Sequence, residues 1–199
     1  VTAVRTSDGQ GITYGDVTPA AEPPVEAVYE ILTGTDDAHI QFTSFNATNT
    51  YLKLYRNNGG MYLRFANLPM PQGSSIEYAF LRFRAYDTSG SDGNQNVTIY
   101  GENSDNGTTV TSYGDFHGRP VTAGVAWATV ATEGAHGAVH DTPSIISIIS
   151  TIVGRGGWSA NNAINILVKT GSDTADRNYG SYETGTLPAA ELHVRWVAP

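Results

Sequence analysis

The feature that most constrains the fold is the stretch from Met61 to Asn106, where period-two alternation recurs on both sides of a segment that no ladder can cross. In Met61-Tyr62-Leu63-Arg64-Phe65 the odd positions are apolar and the even ones amphipathic, the pattern of a strand with one face buried. Ala79-Phe80-Leu81-Arg82-Phe83-Arg84-Ala85-Tyr86 repeats it, with Leu81 and Phe83 on one face and Arg82 and Arg84 on the other. Between them, Leu68-Pro69-Met70-Pro71-Gln72-Gly73-Ser74 forces a reversal, because each proline removes a ladder donor and the glycine permits a turn. A third strand ends in Ile99-Tyr100-Gly101-Glu102 and runs into Asn103-Ser104-Asp105-Asn106.

Along the whole chain, strands are predicted near Val25–Leu32, Ala38–Phe42, Tyr51–Tyr55, Met61–Phe65, Ile76–Tyr86, Val97–Glu102, Ile164–Lys169 and Ala190–Val197, separated by Gly, Asn, Asp and Ser clusters. That number of strands suits an all-β, two-sheet sandwich. One short helix is predicted over Thr142–Val153: Thr142 can cap it, Pro143 fits its first turn, and Ile145, Ile148, Ile149, Ile152 and Val153 fall at helical spacing before Gly154. The region from Thr108 to His140 has little periodicity and reads as long packed loops anchored by Tyr113, Phe116 and Trp127. Residues 1–26 hold almost no large apolar side chain and end in Ala20-Ala21-Glu22-Pro23-Pro24, so they cannot build a core. They read either as a linker or as an extended N-terminal arm that orders against a neighbouring subunit, with the sandwich over residues 27–199.

At 199 residues the chain has enough length for one large β domain, and a domain of that size buries roughly 70% of its unfolded surface. The absence of cysteine excludes disulfides, thiolate zinc sites and thiol catalysis. With 19 acidic against 11 basic residues and a net charge of −8, the chain is ill suited to nucleic acid or an anionic membrane. No apolar run approaches the ~20 residues of a membrane span.

Catalytic chemistry would have to come from carboxylates, hydroxyls and five histidines. His136-x-x-x-His140 followed by Asp141 has the spacing of a helical two-histidine metal site, but Gly134, Gly137 and Pro143 oppose a helix there, and the reading is loop histidines. His39 and His193 alternate with apolar residues inside strands and read as half-exposed strand histidines. Asp36-Asp37 at the start of a strand and Glu102-Asn103-Ser104-Asp105-Asn106 offer oxygen ligands of the kind calcium takes, although neither has a calcium-loop pattern and Asx turns explain both. Trp196, in line with Leu192 and Val194, reads as core or interface, and Trp158 as packing beneath the helix. Tyr51, Tyr55, Tyr179 and Tyr182 are candidates for a sugar-stacking or subunit-facing surface. Asn46-Ala47-Thr48, Asn96-Val97-Thr98 and Asn106-Gly107-Thr108 match the glycosylation sequon and carry little weight.

Several segments, taken in order, resemble a family of jelly-roll-like β-sandwich domains found in virion proteins of tailed bacteriophages and in some secreted bacterial proteins. They are Asp36-Asp37-Ala38, Tyr62-Leu63-Arg64-Phe65, Leu68 to Ile76, Ile99 to Asn106, Phe116-His117-Gly118-Arg119, the Ile-rich helix followed by Gly157-Trp158, and Asn162-Ala163-Ile164. The chain departs from that pattern after Trp127, where a proline-bearing loop is expected and absent. The resemblance implies a non-enzymatic binding or structural module, such as a capsid decoration (cement) or fibre subunit on the virion surface. It implies homo-oligomeric packing on symmetry mates or on a major capsid protein, and it transfers no catalytic, cofactor or metal residue. The competing expectation is an extracellular carbohydrate-binding or host-receptor-binding sandwich.

Overall fold

The computed structural model describes residues 22–87, 93, 95–128, 130, 132, 134–171 and 175–199. Among the described residues there are twelve strands: β1 Val25–Glu30, β2 Asp37–Gln41, β3 Ser44–Asn46, β4 Tyr51–Leu54, β5 Gly60–Leu68, β6 Ser75–Arg84, β7 Val97–Gly101, β8 Val125–Trp127, β9 Val139–Asp141, β10 Asn162–Thr170, β11 Arg177–Gly180 and β12 Glu191–Val197. Two helices, α1 Tyr113–Gly118 and α2 Ile146–Val153, and a 3-10 turn at Tyr182–Thr184 complete the order.

The strands form an all-β sandwich of antiparallel sheets: one in the order β1-β12-β6-β9, a second in the order β3-β2-β5-β10-β7-β8, and a β11-β4 ribbon joined to the end of β6 by the Ala85–Tyr179 bridge. The chain passes repeatedly between the two large sheets, from β5 to β6, β6 to β7, β8 to β9 and β9 to β10, and β5-β10-β7-β8 are consecutive neighbours in the second sheet. The predicted reversal at Leu68–Ser74 is one of these crossings, since β5 and β6 lie in different sheets. Gly73 takes a φ of 77° there and Ser74 N–H donates to the Pro71 carbonyl at 3.2 Å. The main core lies between the sheets, where Leu81, Phe83, Leu192, Val194 and Trp196 meet Met61, Leu63, Phe65, Ile164, Ile166 and Val168. Trp127 stacks on Phe83 with ring centroids 5.9 Å apart.

The helix α2 buries the predicted isoleucine stripe against β6 and β7, but it begins at Ile146, later than the cap and proline suggest. Thr142 does not cap it: its hydroxyl accepts from Leu81 N–H at 3.0 Å and donates to the Pro143 carbonyl at 2.9 Å, tying the preceding segment to β6. Trp158 is buried in the main core, and its indole N–H donates to the Met70 carbonyl at 2.9 Å.

Two further expectations are corrected. The region Thr108–His140 is not all loop: it holds α1, capped by Ser112 accepting from Asp115 N–H at 3.1 Å, and the short strands β8 and β9. Nor is β5 buried on one face only. Ala38, Ile40, Tyr62 and Leu167, on the outer face of the second sheet, are covered by Val110 and Phe116, so a second small core sits under the Glu102–Val121 connection. Arg119 holds that cover down. Its guanidinium makes a two-pronged bond to Asp115 at 2.7 and 2.9 Å, reaches Glu102 at 2.9 Å, and donates to the Thr108 and Thr109 carbonyls. The N-terminal arm read over residues 1–26 lies outside the described residues except for Glu22–Glu26, of which Val25 and Glu26 already belong to β1.

Candidate functional site

Because the second sheet is covered on both faces, the outer face of the β1-β12-β6-β9 sheet is the broad sheet surface left open among the described residues. Its side chains follow from alternation. With Ala79, Leu81 and Phe83 turned into the core, Tyr78, Phe80, Arg82 and Arg84 must point out. Register then sets rows across the sheet: Glu26, Arg195 and Tyr78 in one, Val28, His193 and Phe80 in the next, and Glu30, Glu191, Arg82 and Asp141 in a third.

The centre of the face is aromatic. Phe80 and His193 stack with centroids 4.8 Å apart and planes 9° from parallel, Tyr78 lies 6.0 Å from Phe80, and the Arg82 guanidinium sits 5.5 Å above the Phe80 ring. Charges surround it in pairs. Arg82 grips Asp141 through two bonds of 2.7 Å, Arg195 meets Glu77 at 2.8 Å, and Glu191 accepts from His193 at 3.1 Å with Arg84 at 3.7 Å. The Arg82 hydrogen bonds hold the Asp141 carboxyl below the usual carboxylate range, and a hydrogen bond to Glu26 raises the Tyr78 phenol. No lysine occurs in any of the four strands. A shallow cleft of about 210 Å³ opens between Tyr78, Phe80, Asp141, Thr142 and Ser144. This surface can stack a flat or apolar group and accept hydrogen bonds at its rim.

The residues singled out in the sequence are mostly scattered. His136 lies in an exposed turn and bonds the Tyr86 carbonyl, while His140 is in β9 against Tyr179 at 5.6 Å, so the two do not share a helix. No group of three His, Cys, Asp or Glu side chains is placed to hold a metal among the described residues. His193 is half-buried as expected, whereas His39 is fully buried: its Nδ1 bonds the Tyr51 carbonyl at 3.1 Å, its ring stacks on Tyr51, and burial lowers its pKa. The Glu102–Asn106 loop spends its oxygens inside the protein. Glu102 takes Arg119 and Asn165, Asp105 takes Arg155 at 2.6 Å, Asn103 also bonds Arg155, and Asn106 accepts from Ala163 N–H at 2.8 Å. Asp36 pairs with Arg64 at 3.0 Å, while Asp37 takes a different set of neighbours.

Tyrosines 51, 55, 179 and 182 do not form one platform, since Tyr179 is wholly buried against Phe83 and Tyr55 packs edge-on to Phe42. The aromatic face instead comes from Tyr78 and Phe80, and its signal was present in the sequence as two aromatic residues in phase with Arg82 and Arg84. Neither a known family model nor a curated protein matches the chain.

Proposed function

We propose that the chain is a non-enzymatic virion structural protein, a capsid decoration or fibre subunit, which packs its open β1-β12-β6-β9 face against neighbouring subunits. The strand orders β1-β12-β6-β9 and β5-β10-β7-β8 support a jelly-roll connectivity, in keeping with the resemblance. The observation that carries the reading is the make-up of the open face, in which Tyr78, Phe80, His193 and three arginines stand together without lysine. Aromatics and arginine are enriched, and lysine depleted, where protein surfaces pack together. Arg82, Arg84 and Arg195 already have carboxylate partners within the face, so covering it would not strand them unpaired. Beside the face, β1 is a sheet edge with Val25 and Val28 about half exposed, at 47% and 48%, a place where strand addition by a neighbour's arm can occur.

Light scattering on the full chain should give a defined oligomer that Phe80→Glu dissociates while the melting temperature holds. A monomer in both forms would contradict the assembly reading. The cleft beside Tyr78 and Phe80 favours one alternative, an extracellular sugar-binding module that stacks a single ring there. A glycan array with hits abolished by Tyr78→Ala would support that alternative instead.

A further inference from the structure

Away from the open face, two acidic side chains meet in a way that neither the core nor any ion pair accounts for. Asp37 opens β2 and is only 1% exposed. One of its oxygens, Oδ2, accepts from Tyr182 N–H at 2.9 Å, while Oδ1 is buried with no hydrogen-bond partner. The residue after Tyr182 is Glu183, whose Oε2 is likewise buried and partnerless. Its other oxygen, Oε1, lies against the backbone of Gly34, so close that a Cβ built on that glycine would stand 1.9 Å away. Only a glycine lets the carboxylate into this position.

The arrangement is held in place by its surroundings. The turn carrying Glu183 is locked by a capping box between Ser181 and Thr184, and both side chains also bond the β3–β4 connection: Ser181 Oγ donates to the Asn49 carbonyl at 2.7 Å and Thr184 Oγ1 to the Thr50 carbonyl at 2.6 Å. Arg64, which lies across from this strand on β5, is committed to Asp36 and to the Gly107 carbonyl. Among the described residues no lysine or arginine pairs with Asp37 or Glu183. Burial and the charges of Glu183 and Asp36 push the Asp37 carboxyl up to about 7. A buried, partnerless oxygen on each of two carboxylates that feel one another's charge is a liability unless something positive neutralises them.

We propose that Asp37 and Glu183 are the protein ligands of a divalent cation site of calcium type, closed by the Leu32–Asp37 connection and the Tyr182–Thr184 turn. The donors are all oxygen, which selects a hard cation over zinc or copper. Calcium tolerates water in its shell, so two carboxylates can hold it with solvent supplying the remaining oxygens. With two carboxylates the expected affinity is that of weak extracellular sites, about 10⁻⁴–10⁻³ M. By bridging β2 to the turn before β12, the ion would fasten two segments that are far apart in sequence.

The experiment uses the full chain at slightly alkaline pH, with terbium as a luminescent calcium probe beside Tyr182 and with calcium or magnesium alone in thermal melts. Wild type is expected to sensitise terbium emission that calcium displaces, and to melt higher in millimolar calcium than in equal magnesium. In Asp37→Asn and Glu183→Gln, which keep shape and the Tyr182 N–H acceptor, both effects should weaken roughly tenfold or more. A wild type that neither binds terbium nor gains stability from calcium overturns the site. So does a calcium effect retained in both variants.

Discussion

Arg119 is the hub of the cover over the second sheet, with its side chain and that of Glu102 mostly shielded at 13% and 7% exposure. Arg119→Ala would leave Glu102 buried without its cation and is expected to cost about 3 kcal/mol in urea denaturation. Arg155→Ala, which breaks a half-exposed pair with Asp105, should cost no more than about 1 kcal/mol. Asp37 gives a pH signature. Its folded pKa is raised from 3.8 to about 7, so the folded state holds this proton more tightly, and the contribution present at acid pH is lost as pH rises across that window. His39 acts in the opposite sense: burial lowers its pKa below 6.5, and stability is lost as pH falls through that region. Asp115 and Asp141, both lowered by arginine, lose their contribution only at more acid pH. Melting temperature against pH, without divalent ions, should therefore show Asp37→Asn more stable than wild type above neutrality and level with it near pH 4. A wild type matching the variant across the range would show that Asp37 is not strained.

Among the elements, α2 is the test of packing. Gly101 sits under it so closely that a Cβ would stand 2.6 Å from both Ile148 Cγ2 and Ile152 Cδ1. Gly101→Ala should push the helix off β7 and cost about 1–3 kcal/mol, and Ile149→Ala should cost about 3 kcal/mol through its cavity; chemical denaturation measures both. The isoleucine stripe made α2 legible in the sequence, because apolar spacing reports burial directly. Its start was not legible: Thr142 and Pro143 fit a cap on paper, but the Leu81 N–H competes for the same hydroxyl and wins. The long strands were legible for the same reason as the stripe. Strands β3, β8 and β9, at three residues each, are too short to establish a period, and α1 at six residues is fixed by Ser112 and tertiary cover rather than by pattern. The Asp37–Glu183 pair was half legible. Asp36-Asp37 stood out as oxygen ligands, but nothing in the spacing brings residue 183 to residue 37, and only the turn clamped to Asn49 and Thr50 does so.

For the whole molecule, the sandwich is asymmetric. One sheet is wrapped by its own Glu102–Val121 connection, and the other presents aromatics and paired charges outward. The outward phase of Tyr78, Phe80, Arg82 and Arg84 can be read in the chain, whereas the neighbours that turn them into a surface come from β12 and β9, a matter of long-range register. If the arm clamps a neighbour, removing Val1 to Glu22 should lower the oligomeric state without lowering the melting temperature, as read by light scattering and thermal melts together. The most direct test of the open face as the packing surface is photo-crosslinking from a benzoylphenylalanine placed at position 80, with position 98 on β7 as the control. Packing through the open face should give covalent adducts between copies from position 80 and few from position 98; equal yields from the two positions, or none from position 80, would rule it out.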